Sequence, residues 1–181
     1  GYSACNHLGI TFDFMAKKGI DSGKKKLLDV GSGEGLLKDK FKSNYTGIDH
    51  LTFKDKPWLQ VGDVHDLSHP NESFDIIFCN HVLEHTISPS LVLSECKRVL
   101  KHGGDVIIGV PCWPAFQDKT HHAYLLTKDG WAHLFKFMGF TVMDSIEARG
   151  CGAYHLRKEW VMEELKVGDQ KTLQRRYLES L

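Results

Sequence analysis

Short apolar runs punctuate the chain at Leu27 to Val30, Tyr45 to Asp49, Trp58 to Val61, Phe74 to Cys79 and Asp105 to Val110. They lack the alternation of a half-exposed strand, which suits strands covered on both faces. The stretches between them change to helical spacing. A helix is predicted from Glu34 to about Phe41, and another from Ser88 to Leu100, where Val92, Cys96, Val99 and Leu100 share one face before Gly103 and Gly104 stop it. Ahead of the first strand, Leu8, Phe12, Phe14 and Met15 predict an amphipathic helix over Ala4 to Lys18, closed by Lys17, Lys18 and Gly19. Past Pro111 the rhythm changes. Pro111-Cys112-Trp113-Pro114 reads as a rigid loop, and Thr127 as the N-cap of a helix running to about Met138, with Gly139 as its stop. Phe140 to Ile146 and Tyr154 to Met162 alternate partially and read as two strands joined by a hairpin turn at Gly150-Cys151-Gly152. The alternation of strand and helix specifies an α/β fold with a doubly wound sheet.

No repeat or linker divides the chain, so the expected organisation is one domain over residues 1–181: an N-terminal helix within 1–20, a core over 27–162 and a polar tail over 163–181 with a helix around Lys171 to Leu178. At 181 residues this is long enough to bury a substantial core. Lys plus Arg and Asp plus Glu balance at 23 each, so no global field attracts nucleic acid or an anionic membrane. Lys24-Lys25-Lys26 and Arg175-Arg176 read as solvated surface runs. No apolar stretch approaches a membrane span, and no signal peptide is visible. Five cysteines, without a Cys-x-x-Cys pair, argue against a disulfide framework or a thiolate zinc site. Cys79 and Cys96 fall at core positions, and the expected compartment is the reducing cytoplasm.

Chemistry concentrates after the first strand, in Leu27-Leu28-Asp29-Val30-Gly31-Ser32-Gly33-Glu34-Gly35. An apolar strand ends in an acid and enters a glycine turn, where a ligand can approach the backbone closely, and a helix opening there would offer unpaired N–H groups. Alone, this pattern also fits a nicotinamide or flavin site. Two further acids at fixed places decide between them. Asp49 ends the second strand, where a carboxylate can accept both hydroxyls of a ribose. Asp63 follows the third strand and can accept an adenine amino group, a feature dinucleotide sites do not require.

The ordered segments LLDVGSGEG, YTGID, VGDVHDL, FDIIFCNHVLEH and LVLSECKRVLKHGGDVIIGVP resemble the class I S-adenosylmethionine-dependent methyltransferases. The likeness is strongest to the broad branch holding ubiquinone-biosynthesis O-methyltransferases and many small-molecule enzymes. It runs from about Leu27 to Pro111, with a weaker echo to Val142. The resemblance implies a Rossmann-like sheet of seven strands in the order 3-2-1-4-5-7-6, strand 7 antiparallel, and S-adenosyl-L-methionine as cofactor. It places Asp29, Gly31, Ser32, Gly33 and Gly35 around the methionine part, Asp49 on the ribose and His50 beside the adenine. Asp63 and the backbone at Val64 then read the adenine edge, and Asn80 lines the sulfonium with His81. The loop after the fifth strand shapes the acceptor site in this fold, which makes Trp113, Phe116, Tyr124 and Trp131 part core and part pocket wall. The fourth strand lacks the Asn/Asp-Pro-Pro-aromatic tetrapeptide of enzymes that methylate planar amino groups, which favours an oxygen or carbon acceptor.

Histidines are the compositional oddity, 11 in all. On a helix, His81, Glu84 and His85 would share one face, a spacing able to hold a divalent cation. Related segments with an acid in place of His81 bind a magnesium-like ion in some ubiquinone O-methyltransferases and in small-RNA 3′-end methyltransferases, where a later histidine completes the site; His121 and His122 occupy a comparable region here. One acid among three ligands makes a poor cage for such a hard ion. The expectation is therefore no metal, with His81, His85 and His121 as catalytic or acceptor-lining residues. The leading function is methyl transfer to a small-molecule hydroxyl, without nucleic acid or membrane. The alternatives are a metal-assisted RNA ribose 2′-O-methyltransferase and a non-catalytic S-adenosylmethionine-binding partner protein.

Overall fold

The structure is a computed structural model that describes residues 7–20, 24–51, 54–113 and 122–159. The expected helix near the C-terminus, residues 160–162 of the last predicted strand, and the candidates Cys5, Phe116 and His121 lie outside them.

Seven strands form one sheet: β1 (Leu27–Val30), β2 (Tyr45–Asp49), β3 (Leu59–Val61), β4 (Phe74–Asn80), β5 (Leu100–Pro111), β6 (Thr141–Ala148) and β7 (Cys151–Arg157). Their order is β3-β2-β1-β4-β5-β7-β6. β1 to β5 pair in parallel, and β7 runs antiparallel to both β5 and β6. The expected order and the antiparallel seventh strand are therefore the observed ones.

Two cores follow from the alternation of side chains in buried strands. On one face Leu28, Val30, Ile77, Cys79, Val106 and Ile108 pack with Val92 and Cys96 of α3 (Pro89–Val99) and with Trp131 and Phe135 of α4 (Lys128–Phe137). On the other, Leu27, Ile76, Phe78 and Ile107 pack with Met15 of α1 (His7–Lys17) and Phe41 of α2 (Lys38–Phe41). Ser88 caps α3 by accepting from the Leu91 amide with Pro89 in its first turn, and Thr127 caps α4 by accepting from the Gly130 amide.

Three expectations need correction. The helix expected from Glu34 is reduced to the four residues of α2, because Gly31, Gly33 and Gly35 take φ of +66°, +51° and +72°. Left-handed residues cannot propagate a right-handed helix. The hairpin turn is Arg149-Gly150, with φ of +52° and +79°, so Ala148 pairs with Cys151 and the cysteine belongs to β7. Two positive φ values in a two-residue loop are what the twist of a hairpin demands. Finally, pairing of β5 begins at Leu100, before the two glycines, and the register against β4 jumps from Phe74–Leu100 to Ile76–Asp105. The intervening segment is held by Gly103 N–H donating to Lys158 O and Lys158 N–H to Gly104 O.

Candidate active site

The parallel strands β1, β2, β3 and β4 all deliver their carboxyl ends to one edge of the sheet, where Asp29, Asp49, Asp63 and Asn80 gather around two cavities. A cavity of about 500 Å³ is lined by Asp29, Gly31, Ser32, Gly33, Phe78, Asn80 and, from outside the sheet, Phe12. A larger one, about 720 Å³, is lined by Gly31, Asp49, His50, Asp63, Val64, His65, His81 and His85 among others. Gly31 borders both. A Cβ there would lie 2.3 Å from Cγ2 of Val82, closer than any side chain tolerates, so the loop can pass between the cavities only as glycine. Gly35, the remaining predicted glycine, borders neither cavity.

The smaller cavity is floored by Asp29, which is 5% exposed and accepts from the Tyr45 hydroxyl at 2.8 Å. Burial pushes its carboxyl up to about 7, against the lowering effect of the Tyr45 bond and with a further push from Asp49. Burial and the neighbouring Asp29 in turn push the Tyr45 hydroxyl up. Phe12 of α1 stacks on Phe78 with centroids 5.3 Å apart, which closes this cavity from the helical side. Asn80 Oδ1 is buried with no partner among the described residues. Such an atom is an acceptor left open to a further donor.

Asp49 ties the loop to the second strand. Its Oδ2 accepts from Gly33 N–H at 2.8 Å and its Oδ1 from Leu51 N–H at 3.0 Å. Gly31 and Ser32 donate to Ile48 O, so the amides expected to be open at a helix N-terminus are spent on β2. Each Asp49 oxygen retains acceptor capacity. His50 is exposed, with Nδ1 3.1 Å from Asp49 Oδ1. Asp63 Oδ1 accepts from the backbone N–H of His65 at 2.8 Å and lies 2.7 Å from its ring Nδ1. That amide, reinforced by the ring, lowers the Asp63 carboxyl and leaves its Oδ2 directed by neither contact.

The segment after β4 departs from the predicted helix. His81 has φ +56°, and Leu83–His85 form a single 3-10 turn. His81 and Glu84 nevertheless meet, Nδ1 to Oε1 at 2.9 Å, and His85 Nε2 stands 3.9 Å from the same oxygen. Glu84 is fully buried, and its backbone carbonyl accepts from the Ala123 and Tyr124 amides. Those bonds bring His122 beside His85, ring centroids 4.8 Å apart. Ligand-type atoms of Glu84, His85 and His122 lie within 4.8 Å of one another, a grouping able to hold a cation. His122 thus joins Glu84 and His85 in that grouping, while His81 holds Oε1 of the same Glu84 through its Nδ1.

Residues 28–108 match a family model described as a methyltransferase domain. In sequence and in fold the chain is similar to the class I S-adenosylmethionine-dependent methyltransferases. It is 26% identical over 133 residues to a ubiquinone biosynthesis O-methyltransferase of Saccharophagus degradans, covering 64% of this chain and 53% of that one. The chain thus spans about half the length of the curated relatives it matches. In fold it is similar to a 1,6-didemethyltoxoflavin-N1-methyltransferase of Burkholderia thailandensis solved with bound S-adenosylhomocysteine (TM-score 0.70, 19% identity, 87% of this chain and 80% of that one). It is also similar to a S-adenosylmethionine-dependent methyltransferase of Aquifex aeolicus (TM-score 0.67, 18% identity, 82% and 89%).

Against this family frame, several functional positions were not singled out from the sequence. Tyr45, His65 and Cys151 reach the site through contacts that no local spacing encodes, whereas Phe12 carries a readable signal, an aromatic on the inner face of a predicted helix. Trp131 is a correction. It is fully buried and its indole N–H donates to Pro111 O, so it is core and not pocket wall. Trp113 and Tyr124 are partly exposed and border neither cavity.

Proposed function

We propose that this chain transfers the methyl group of S-adenosyl-L-methionine to a hydroxyl of a small molecule. The observation that carries the reading is the pair of cavities joined at Gly31, with one carboxylate at the end of each of three adjacent strands. The residues suit the cofactor. Asp29 offers the smaller cavity a carboxylate for an ammonium, and the orphaned Oδ1 of Asn80 offers a partial negative charge beside it. A side chain at Gly33 would meet no protein atom within 4 Å, so the loop there faces open space for a ligand. Asp49 retains lone pairs for two ribose hydroxyls, and Asp63 Oδ2 accepts from the adenine amino group. His50 and Val64 flank the base.

When bound, the cofactor supplies an electrophilic methyl on a good leaving group, so the protein's work is alignment and exclusion of water, worth roughly 7–11 kcal/mol of barrier. Phe12, Phe78 and Val82 exclude water, while His81 or His85 takes the hydroxyl proton. His121, outside the described residues, is the third candidate for that step. The described cysteines, Cys79, Cys96, Cys112 and Cys151, are buried and form no disulfide with one another, which supports a cytoplasmic enzyme, and no described helix is long and apolar enough to cross a membrane.

The grouping of Glu84, His85 and His122 favours a second reading, metal-assisted methylation of an RNA ribose hydroxyl, in which the ion would lower the hydroxyl pKa. One experiment separates the readings. Purified protein is incubated with methyl-labelled cofactor and either pools of small molecules or RNA, with and without a chelator. Chelator-resistant label in a small hydroxyl compound is the expected result. Chelator-sensitive label in RNA would establish the second reading, and cofactor binding without any transfer would leave a non-catalytic partner protein. Asp49→Ala should weaken binding of the cofactor by on the order of 1.5–3 kcal/mol for each charged hydrogen bond lost, and calorimetry would show it; unchanged affinity would move the ribose elsewhere.

A further inference from the structure

The hydroxyl of Tyr45 lies where the glycine loop, β1 and β2 converge. Tyr45 is the first residue of β2, and the register of β1 against β2 sets Leu27 opposite Tyr45 and Asp29 opposite Gly47. Residues two apart on a strand share a face, as do residues opposite each other in a parallel pair. Positions 45, 47 and 29 therefore belong to one face, with Gly47 between the other two. A Cβ on Gly47 would lie 2.7 Å from the Tyr45 hydroxyl oxygen and 2.9 Å from Ser32 Oγ. The phenol thus runs over this glycine to reach the neighbouring strand. There its hydroxyl donates to Asp29 Oδ2 at 2.8 Å. The glycine loop closes on the same hydroxyl from the other side. Gly35 has φ of +72°, and a Cβ on it would stand 3.1 Å from the Tyr45 hydroxyl oxygen. Gly35 borders neither cavity, so left-handed backbone and close approach to this phenol are what call for glycine there.

The chemistry gives this contact a purpose. Asp29 lines the smaller cavity and is almost wholly buried, as is Tyr45. A carboxylate has two oxygens that accept, and a donor fixed on Oδ2 sets the rotation of the group and leaves the capacity of Oδ1 to a ligand. A hydroxyl that donates to the ionised carboxylate also favours that form in a place where burial opposes it. The ring that carries the hydroxyl packs among Leu27, Leu37 and Phe41, so its tip is delivered from the core on a rigid stem. Phenylalanine would fill the same space and lack the donor.

We propose that Tyr45 is a positioning residue for the cofactor: its hydroxyl fixes the Asp29 carboxylate for the ligand ammonium, and Gly35 and Gly47 are the two gaps that let it reach that carboxylate. The proposal rests on the placing of the methionine part in the smaller cavity, and adds to it the residue that aligns the group accepting from the ammonium.

Calorimetry with two ligands tests it on the full chain. S-adenosylhomocysteine carries the ammonium, whereas 5′-methylthioadenosine keeps the adenosine and the sulfur but has neither ammonium nor carboxylate. Tyr45→Phe keeps the ring and removes the hydroxyl alone. It should weaken S-adenosylhomocysteine about tenfold, the low end for a hydrogen bond to a charged group. It should leave 5′-methylthioadenosine at native affinity, which also shows that the variant is folded. In an Asp29→Asn background the same substitution should cost S-adenosylhomocysteine much less, as residues that act through one another are not additive. Equal weakening of both ligands by Tyr45→Phe would make the hydroxyl a prop of the fold and overturns the proposal. A full tenfold loss in the Asp29→Asn background overturns it too, since Tyr45 would then act without Asp29. Asp29→Asn alone separates the proposal from the reading beneath it. Native affinity for S-adenosylhomocysteine in that variant takes the ammonium away from Asp29 and overturns both, whereas a loss there with none in Tyr45→Phe overturns the proposal alone.

Discussion

Asp29 shows how one residue links the stability of the fold to the binding of its ligand. Its carboxyl ordinarily titrates at 3.8 and is pushed up to about 7, chiefly by burial. The folded chain therefore holds this proton more tightly than the unfolded chain does. Its contribution to stability is intact below the unfolded value, declines as pH rises from about 4 to about 7, and is constant above that. A ligand ammonium in the smaller cavity reverses the preference, because it pairs with the ionised form. Affinity for S-adenosylhomocysteine should accordingly rise between roughly pH 6 and pH 8. Calorimetry across that range on the native chain and on Asp29→Asn isolates the effect, since every other group is common to both. The slope should flatten in the variant, and an equal slope in the two proteins would show that the ammonium does not meet Asp29. Tyr45→Phe removes the bond that lowers this carboxyl, so it should move the rise to higher pH.

At the scale of elements, the sequence was most readable where one physical demand acted alone. β1 and β4 are apolar because they are covered on both faces, and their ends needed no tertiary information. α2 was misread because hydrophobic spacing from Leu36 to Phe41 looks helical, while three left-handed glycines occupy the turn that would have begun the helix. Gly152 misled in another way: it reads as a turn residue, yet a Cβ on it would lie 2.8 Å from Cys112 Sγ, so it is there for packing within β7. Least readable were ties between strands at the edge remote from the cavities. There Asp105 of β5, 3% exposed, accepts from His155 Nε2 and Arg157 Nη2 of β7, each at 2.9 Å, and from Lys25 Nζ at 3.2 Å. Burial pushes this carboxyl up, but the three donors more than offset it and hold it well below the usual carboxylate range. The stability it contributes is present above about pH 4 and is lost as pH falls below that. Asp105→Asn should cost about 1–3 kcal/mol at neutral pH, discounted for the solvent around Arg157 and Lys25. Urea unfolding at about pH 7 and about pH 3 checks it: the difference between native and variant should shrink at the acid end, and a constant difference would show that charge plays no part in the tie.

For the molecule as a whole, the gathering of carboxylates at the strand ends was legible and the contacts of the histidine cluster were not, for a reason in the topology. Asp29 and Asp49 stand at the carboxyl ends of their strands and Asp63 just past its own, so a linear reading places them together as soon as the parallel order is granted. The contacts of His81 and Glu84 with His122 and Cys151 are brought about by the segment after β5 and by the return of β7, and the sequence carries no spacing for contacts of that range. This division has a thermodynamic consequence. All seven strands share one sheet, and both cavities lie at the ends of its central strands, so a ligand bound there is lost when the sheet unfolds. A ligand that binds only the folded chain stabilises it by about 2.7 kcal/mol at 100 times its dissociation constant. For a domain of this size that raises the midpoint of thermal unfolding by roughly 5–10 °C. S-adenosylmethionine and S-adenosylhomocysteine should both produce such a shift in one cooperative transition, and nicotinamide dinucleotides should produce none, because they would bring an anionic pyrophosphate to the Asp29 carboxylate where the sulfur ligands bring an ammonium. Asp63→Ala should reduce the shift while leaving the unliganded midpoint nearly unchanged, since the Asp63 side chain is largely exposed and, among the described residues, bonds to its neighbour His65. A shift with a nicotinamide dinucleotide and none with either sulfur ligand would mean that the crevice, though built at the right edge of the sheet, serves a different nucleotide.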